Sequence, residues 1–155
     1  ANDTVVRNAA SEFAVALKRY ALEYGTPRGF GSASTAPIDA NGNCTGGVNA
    51  GWAEPGTYKC TIADILIAKQ LLPANFFASL PKSANANNSP TTVFMFYPCA
   101  TQMGFYKLMY TQYNTSSDVA STFDSVEKQC GQPNPTSDTL YTTYGMRGAI
   151  LIDMN

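Results

Sequence analysis

VVRNAASEFAVALKRYALEYG, Val5 to Gly25, is the stretch whose reading decides the fold. Placed at about 100° per residue around a helix axis, Val5, Val6, Ala9, Ala10, Phe13, Ala14, Ala16, Leu17, Tyr20, Ala21 and Tyr24 cover one side. Arg7, Asn8, Ser11, Glu12, Lys18, Arg19 and Glu23 fill the other. The spacing predicts one long helix over residues 3–24. Gly25 and Pro27 stop it: glycine takes the left-handed cap conformation, and proline cannot continue the hydrogen-bond ladder. Val15 and Leu22 break the pattern. Both fall within the polar arc, seven residues apart, and so line up as one apolar stripe. Scattered surface apolar residues are ordinary. An aligned pair also fits a face that another subunit covers.

Outward from this helix, residues 26–60 are dominated by Gly, Pro, Asn, Ser and Thr, as in GFGSASTAP and DANGNCTGG, and read as one irregular loop. A loop of that length is functional or pinned, and Trp52 is expected to plug it onto the core. TIADILIAKQLLP, residues 61–73, reads as a second helix. Thr61 and Asp64 make a capping-box-like start. Ile62, Ile65, Leu66, Lys69 and Leu72 keep helical spacing, and Pro73 is the expected stop. Phe76, Phe77 and Leu80 then cover an edge of the core, before the polar turn KSANANNSP. TTVFMFYP, 91–98, and GFYKLMYTQY, 104–113, carry large residues on both faces and read as a hairpin. NTSSDVASTFDSVEKQCG predicts a third helix, capped by Ser117. Val119, Phe123, Val126 and Cys130 line one stripe, and Gly131 stops it. TLYTTY and RGAILIDM, separated by Gly145, read as a final pair of strands. The order gives an α+β fold: a long N-terminal α-helix packed on an antiparallel sheet of about four strands, with extra short helices and disulfide-pinned loops. Residues 1–155 make a single domain, without internal repeats.

Composition narrows the function classes. Charged residues are 14% of the chain, the net charge is −1 and histidine is absent. No basic run points to nucleic acid. No apolar run approaches the roughly 18 residues of a membrane span, so the chain is expected to be soluble. Without histidine, a Ser-His-Asp or Cys-His machine cannot be built from this chain. No catalytic constellation, metal site or cofactor is expected. The cysteines, 44, 60, 99 and 130, form no C-x-x-C pair, which argues against a zinc site. Their even number favours two disulfides and an oxidising compartment. Four cysteines allow three pairings. Cys44–Cys60 and Cys99–Cys130 are favoured because both close short loops, against the competing reading of four reduced core thiols.

Several local motifs have plainer readings. DANGN, 39–43, faintly resembles a calcium loop, but Cys44 and Ala50 stand where that loop wants glycine and a bidentate glutamate. A turn built from Asn and Gly is preferred. GFGSAS lacks the ending and the preceding strand of a phosphate loop. Tyr106, Tyr110, Tyr113, Tyr141 and Tyr144 read as core and sheet surface rather than a stacking platform. The glycosylation-type triplets at Asn43, Asn87 and Asn114 are close to chance in such a composition.

EFAVALKRYALEYGTPRG and ADILIAKQLLP, followed by an antiparallel sheet, resemble the soluble part of a bacterial type IV pilin or of its sister pseudopilins of type II secretion. Cys99 and Cys130 are similar to the bridge that staples the C-terminal region in many pilins. The resemblance covers most of the chain in layout. The family's cleavage site, methylated first residue and apolar stalk have no counterpart here. It implies that residues 1–25 are the C-terminal half of a stalk helix, 26–60 a loop region and 61–155 the sheet and C-terminal disulfide region. It also implies a non-catalytic subunit of a cell-surface, extracellular pilus, held in the inner membrane before assembly by a stalk segment absent from this chain. Its partners would be other copies of itself in a helical filament, with minor pilins and the assembly machinery. The filament would serve adhesion, motility or DNA uptake. Val15, Leu22, Lys18 and Arg19 would lie on the filament interface. The alternatives are a pseudopilin and a free secreted, disulfide-stapled binding domain.

Overall fold

A computed structural model describes residues 2–27, 30–81, 93–112 and 117–155. The long helix is present as α1, Asn2–Tyr24. Gly25 closes it with a backbone bond to the Ala21 carbonyl (3.0 Å) and a φ of +84°, a conformation that residues with a Cβ rarely adopt. Four strands follow in a simple antiparallel meander: β1 (Gly51–Trp52), β2 (Phe94–Pro98), β3 (Phe105–Thr111) and β4 (Met146–Asp153), in the order β1-β2-β3-β4. α2 is Ile62–Ala68 and α3 is Ser117–Gln129.

The sheet is covered on both faces. Val6, Ala9, Ala10, Phe13, Ala16, Leu17 and Tyr20 of α1 pack with Phe94, Phe96, Tyr106, Leu108, Tyr110 and Ile152, and with Ile62, Ile65 and Leu66 of α2. The alternate strand residues, Met95, Met109 and Ala149, meet Phe123 and Val126 of α3 in a second cluster. This explains the large residues on both faces of the strands. Alternation places successive side chains on opposite sides, and here both sides are interior. The register fits: Tyr110 lies opposite Gly148, where any Cβ would run into the tyrosine ring.

The capping box is formed. The Thr61 side chain accepts from Asp64 N, and Asp64 Oδ2 accepts from Thr61 N. The stop is earlier than expected. The helix ends at Ala68, not before Pro73, because Gln70 takes a left-handed φ of +61°. Leu71 N–H then reaches back to the Leu66 carbonyl (2.8 Å) and Gln70 N–H to that of Ile67 (3.0 Å), a Schellman ending without glycine.

The fourth strand is not the one expected. TLYTTY is a helical turn, α4 (Thr139–Thr142), preceded by a 3₁₀ turn at Pro135–Ser137. The Asp138 carbonyl accepts from the N–H groups of Tyr141 and Thr142. Leu140, Tyr141 and Tyr144, at helical spacing, pack on the second cluster. The fourth strand comes instead from within the 26–60 loop. Trp52 pairs with Met95 there and is buried at 7% exposure. Val5 and Tyr24, placed by spacing on the buried side, are exposed: Val5 lies at the margin of the apolar arc, and Tyr24 lies at the helix end. Residues 28–29, 82–92 and 113–116 lie outside the described residues, and with them the turn expected at 82–90, Asn87, Tyr113 and Asn114; so do the side chains of Ser117, the expected cap, and Val119.

Phe13 is fully buried, edge-on to Phe76, Phe77 and Phe94, with ring centroids 6.2, 5.6 and 5.5 Å away. Phe13→Ala is expected to lower unfolding free energy by about 3–5 kcal/mol, read as a lower urea midpoint at unchanged slope.

Candidate functional site

Large apolar side chains left exposed among the described residues are Val5, Val15, Leu22, Tyr24 and Met103, and all but Met103 sit on α1. Val15 is 61% and Leu22 75% exposed, on the side of α1 away from the sheet. Their seven-residue spacing keeps them aligned, since seven residues come within about 20° of two helical turns. Arg19 lies exposed between them. Lys18 does not share this freedom. It is half-buried, and its Nζ donates to the backbone carbonyl of Asp153, tying α1 to the end of β4. The structure thus places Val15, Arg19 and Leu22 together and commits Lys18 to its own chain.

The cysteines are joined as Cys44–Cys60 and Cys99–Cys130, with Cα–Cα separations of 5.8 and 4.7 Å. The first pins the loop onto the start of α2. The second joins the end of β2 to the end of α3, so β3 and α3 lie within one covalent loop. Each link is worth roughly 2–4 kcal/mol. DANGN is the expected turn: Asp39 Oδ1 accepts from Asn41 and Asn43 N–H, both at 2.9 Å, around a left-handed Gly42. Its edge helps form a cleft of about 340 Å³ with Tyr20, Tyr24 and Lys69. Lys69 Nζ lies 4.7 Å from the Tyr24 ring centroid and donates to Asn41 O.

Two buried carboxyls escaped sequence reasoning. Glu54, 6% exposed, follows β1 and caps the start of β2: its Oε1 accepts from Val93 N (2.7 Å) and Phe94 N (3.1 Å). Glu127, in the last turn of α3, is fully buried and pairs with Lys107 of β3. Burial raises the pKa of both, to about 8 for Glu54, where the backbone bonds only partly offset desolvation. Nothing in the local sequence marks either as interior. Glu54 sits between Ala53 and Pro55, and Glu127 beside Lys128.

No family model, curated protein or solved structure matches this chain. Among the described residues no helix is long and apolar enough to cross a membrane, and no cluster of three His, Cys, Asp or Glu residues is placed to hold a metal. The disulfides fit an oxidising compartment.

Glu54 makes stability depend on pH. The folded chain holds a proton that the unfolded chain releases near pH 4.5, so this contribution is full below 4.5 and is lost as pH rises to about 8. Glu54→Gln keeps an acceptor for Val93 and Phe94 and cannot ionise. Its advantage over wild type is expected to grow between pH 5 and pH 8, reaching on the order of a few kcal/mol. Paired denaturant titrations at the two pH values measure this; parallel curves would exclude Glu54 as the group responsible.

Proposed function

We propose that this chain is the globular head of a filament-forming subunit of the type IV pilin kind, and that it acts by assembly rather than catalysis. The observation that carries the reading is the outward stripe of α1. The inner face of the helix is already satisfied by the sheet, yet Val15 and Leu22 remain in water on the opposite face. Helices that pack side by side through such faces bury apolar surface without disturbing the heads. Head-to-tail repetition of one contact then builds an open helical fibre. In this reading α1 continues upstream as the apolar stalk that holds subunits in the inner membrane before assembly. The partners are other copies of the chain, with minor pilins and assembly machinery at the base. The two disulfides harden the exposed head against shear and proteolysis. Adhesion, motility or DNA uptake through a cell-surface fibre are the roles such an assembly serves, and a pseudopilin of type II secretion would use the same contacts.

A second reading is a secreted, disulfide-stapled binding domain. The cleft beside Tyr20, Tyr24 and Lys69 favours it, since two aromatic rings and a cation converge there. The two readings load different surfaces and separate cleanly.

Full burial of a Val or Leu side chain is worth about 1.5–3 kcal/mol. Val15→Asp with Leu22→Asp, introduced into the full-length gene product, is therefore expected to cut sheared-fibre yield at least tenfold. The isolated double-variant head is expected to keep its unfolding free energy within about 0.5 kcal/mol, as exposed positions usually do. An undiminished fibre yield would refute assembly through this face.

A further inference from the structure

The cleft beside the last turn of α1 is walled by three pieces of chain. α1 supplies Tyr20 and Tyr24, the 39–43 turn supplies Asn43, and the end of α2 supplies Lys69. Each wall is fixed. Asp39 Oδ1 holds the N–H groups of Asn41 and Asn43. The turn lies so close to α2 that a Cβ at Gly42 would stand 3.1 Å from Ala68 Cβ, and the Cys44–Cys60 bridge ties the same wall to the residue before Thr61, the cap of α2. The Tyr24 ring rests against Tyr20, with centroids 5.2 Å apart. These walls present one cation and several groups that both donate and accept. Lys69 Nζ gives one hydrogen to the Asn41 carbonyl (3.0 Å), and an ammonium carries three. The ion pairs among the described residues are Lys107–Glu127 and Lys128–Asp124, so no carboxylate among them answers Lys69. No acidic residue is in the described lining of the cleft. Burial, with the Tyr24 phenol beside it, pushes the Tyr20 hydroxyl up, so that group keeps its proton. Thr26 is already committed: its hydroxyl donates to the Met154 carbonyl (3.0 Å).

We propose that this cleft binds a small hydroxylated carboxylate of the acidic-sugar class, a hexuronate, with Lys69 as the contact to the carboxylate. Charge, size and hydrogen-bonding chemistry choose that class together. A cleft with a cation and no acid concentrates anions. One uncompensated positive charge matches one carboxylate, whose oxygens accept the two remaining ammonium hydrogens in charge-assisted bonds. A volume of about 340 Å³ lies at the lower end of small-molecule pockets. That is room for a single ring, and more than a bare inorganic anion fills. The phenols of Tyr20 and Tyr24 and the Asn43 amide each donate and accept. Sugar hydroxyls do the same, so every hydroxyl can be matched in one sense or the other. Walls already held by the Asp39 turn and the disulfide need little ordering when the ligand arrives. The proposal gives a ligand class to the binding-domain reading and rests on it. It does not depend on assembly: at 100° per residue, Tyr20 and Tyr24 lie across the axis of α1 from Val15 and Leu22.

The test is titration of the whole chain, labelled with nitrogen-15, with sodium glucuronate at constant ionic strength. Glucose, which lacks the carboxylate, and acetate, which lacks the hydroxyls, are the comparison probes. Saturable amide shifts are expected at Tyr24, Asn43 and Lys69, with glucuronate binding about tenfold or more tighter than either comparison probe. Lys69→Met keeps the aliphatic stem and is expected to weaken glucuronate about tenfold or more. Tyr24→Phe removes one hydroxyl and is expected to weaken glucuronate while leaving acetate unchanged. Glucose bound as tightly as glucuronate, or undiminished binding by Lys69→Met, would overturn the anionic assignment and leave a cleft for another class of ligand. Acetate bound as tightly as glucuronate would overturn the sugar assignment. Shifts confined to residues away from the cleft would overturn the site. The absence of a saturable shift with all three probes would overturn the proposal and the binding-domain reading with it.

Discussion

Phe13 stands where α1, the segment after α2 and the centre of the sheet converge, and burial of the α1 face around it is the constraint on which the other elements depend. A helix in a folded protein draws most of its stability from packing of its amphipathic face rather than from propensity, and α1, 23 residues long, has such a face. It persists because one side is removed from solvent. Three alanines on that side, Ala9, Ala10 and Ala16, let the backbone approach the strands closely, and Phe13, Leu17 and Tyr20 fill the gaps. Lys18 then fastens the helix to the end of β4 through the Asp153 carbonyl. The sheet order follows. β3 and β4 carry most of the helix contact, β2 joins them by a short turn, and β1 adds the edge.

What was legible in the sequence was whatever rests on periodicity or on a residue with a special backbone role. The 3.6-residue pattern gave α1, the Thr61–Asp64 box gave the start of α2, and large residues on both strand faces marked a sheet with two interior sides. What was hidden rests on context. The α2 stop uses glutamine in a left-handed conformation, where a glycine would have announced it. β1 is two residues long, too short for any alternation to register, and exists because Ala53 N–H and the Phe94 carbonyl complete the edge. TLYTTY has the β-branched and aromatic residues of a strand, but propensity yields to packing: its tyrosines reach the α3 side of the sheet only from a helical turn. Of the expected interface, the spacing located Val15, Leu22 and Arg19 on one face. It could not tell that Lys18, one residue away, has a carbonyl within reach.

The second cluster differs in kind from the first. Around α1 the buried cluster is apolar, and the Lys18 bond to the Asp153 carbonyl lies at its margin. Beneath α3, a lysine and a glutamate are buried among methionine, phenylalanine and the disulfide. Such a pair contributes little net stability, because desolvation of both charges offsets their attraction, whereas loss of one partner costs about 3–5 kcal/mol. Its value is positional. Only one rotation and one height of α3 on β3 bring Glu127 to Lys107, while apolar contacts alone tolerate slippage. The Cys99–Cys130 bridge ties the end of α3 to the end of β2, the strand beside β3. The region is therefore held by a disulfide and an ion pair, where the α1 cluster is held by shape beside the Cys44–Cys60 bridge.

The outer stripe of α1 has to be weighed against its size. Single exposed apolar residues mean little, and a stable protein interface buries about 800 Å² per partner. Val15 and Leu22 together supply a small fraction of that area. Two aligned side chains set the register of a helix against its neighbour, but they do not hold a fibre. If this face assembles, the larger share of burial must come from apolar surface contiguous with it on the same helix axis, as a stalk would provide, with the head contributing alignment and a polar rim. That division also explains why the head can remain folded with the stripe in water: its own stability draws on the opposite face, and the two faces share no side chain.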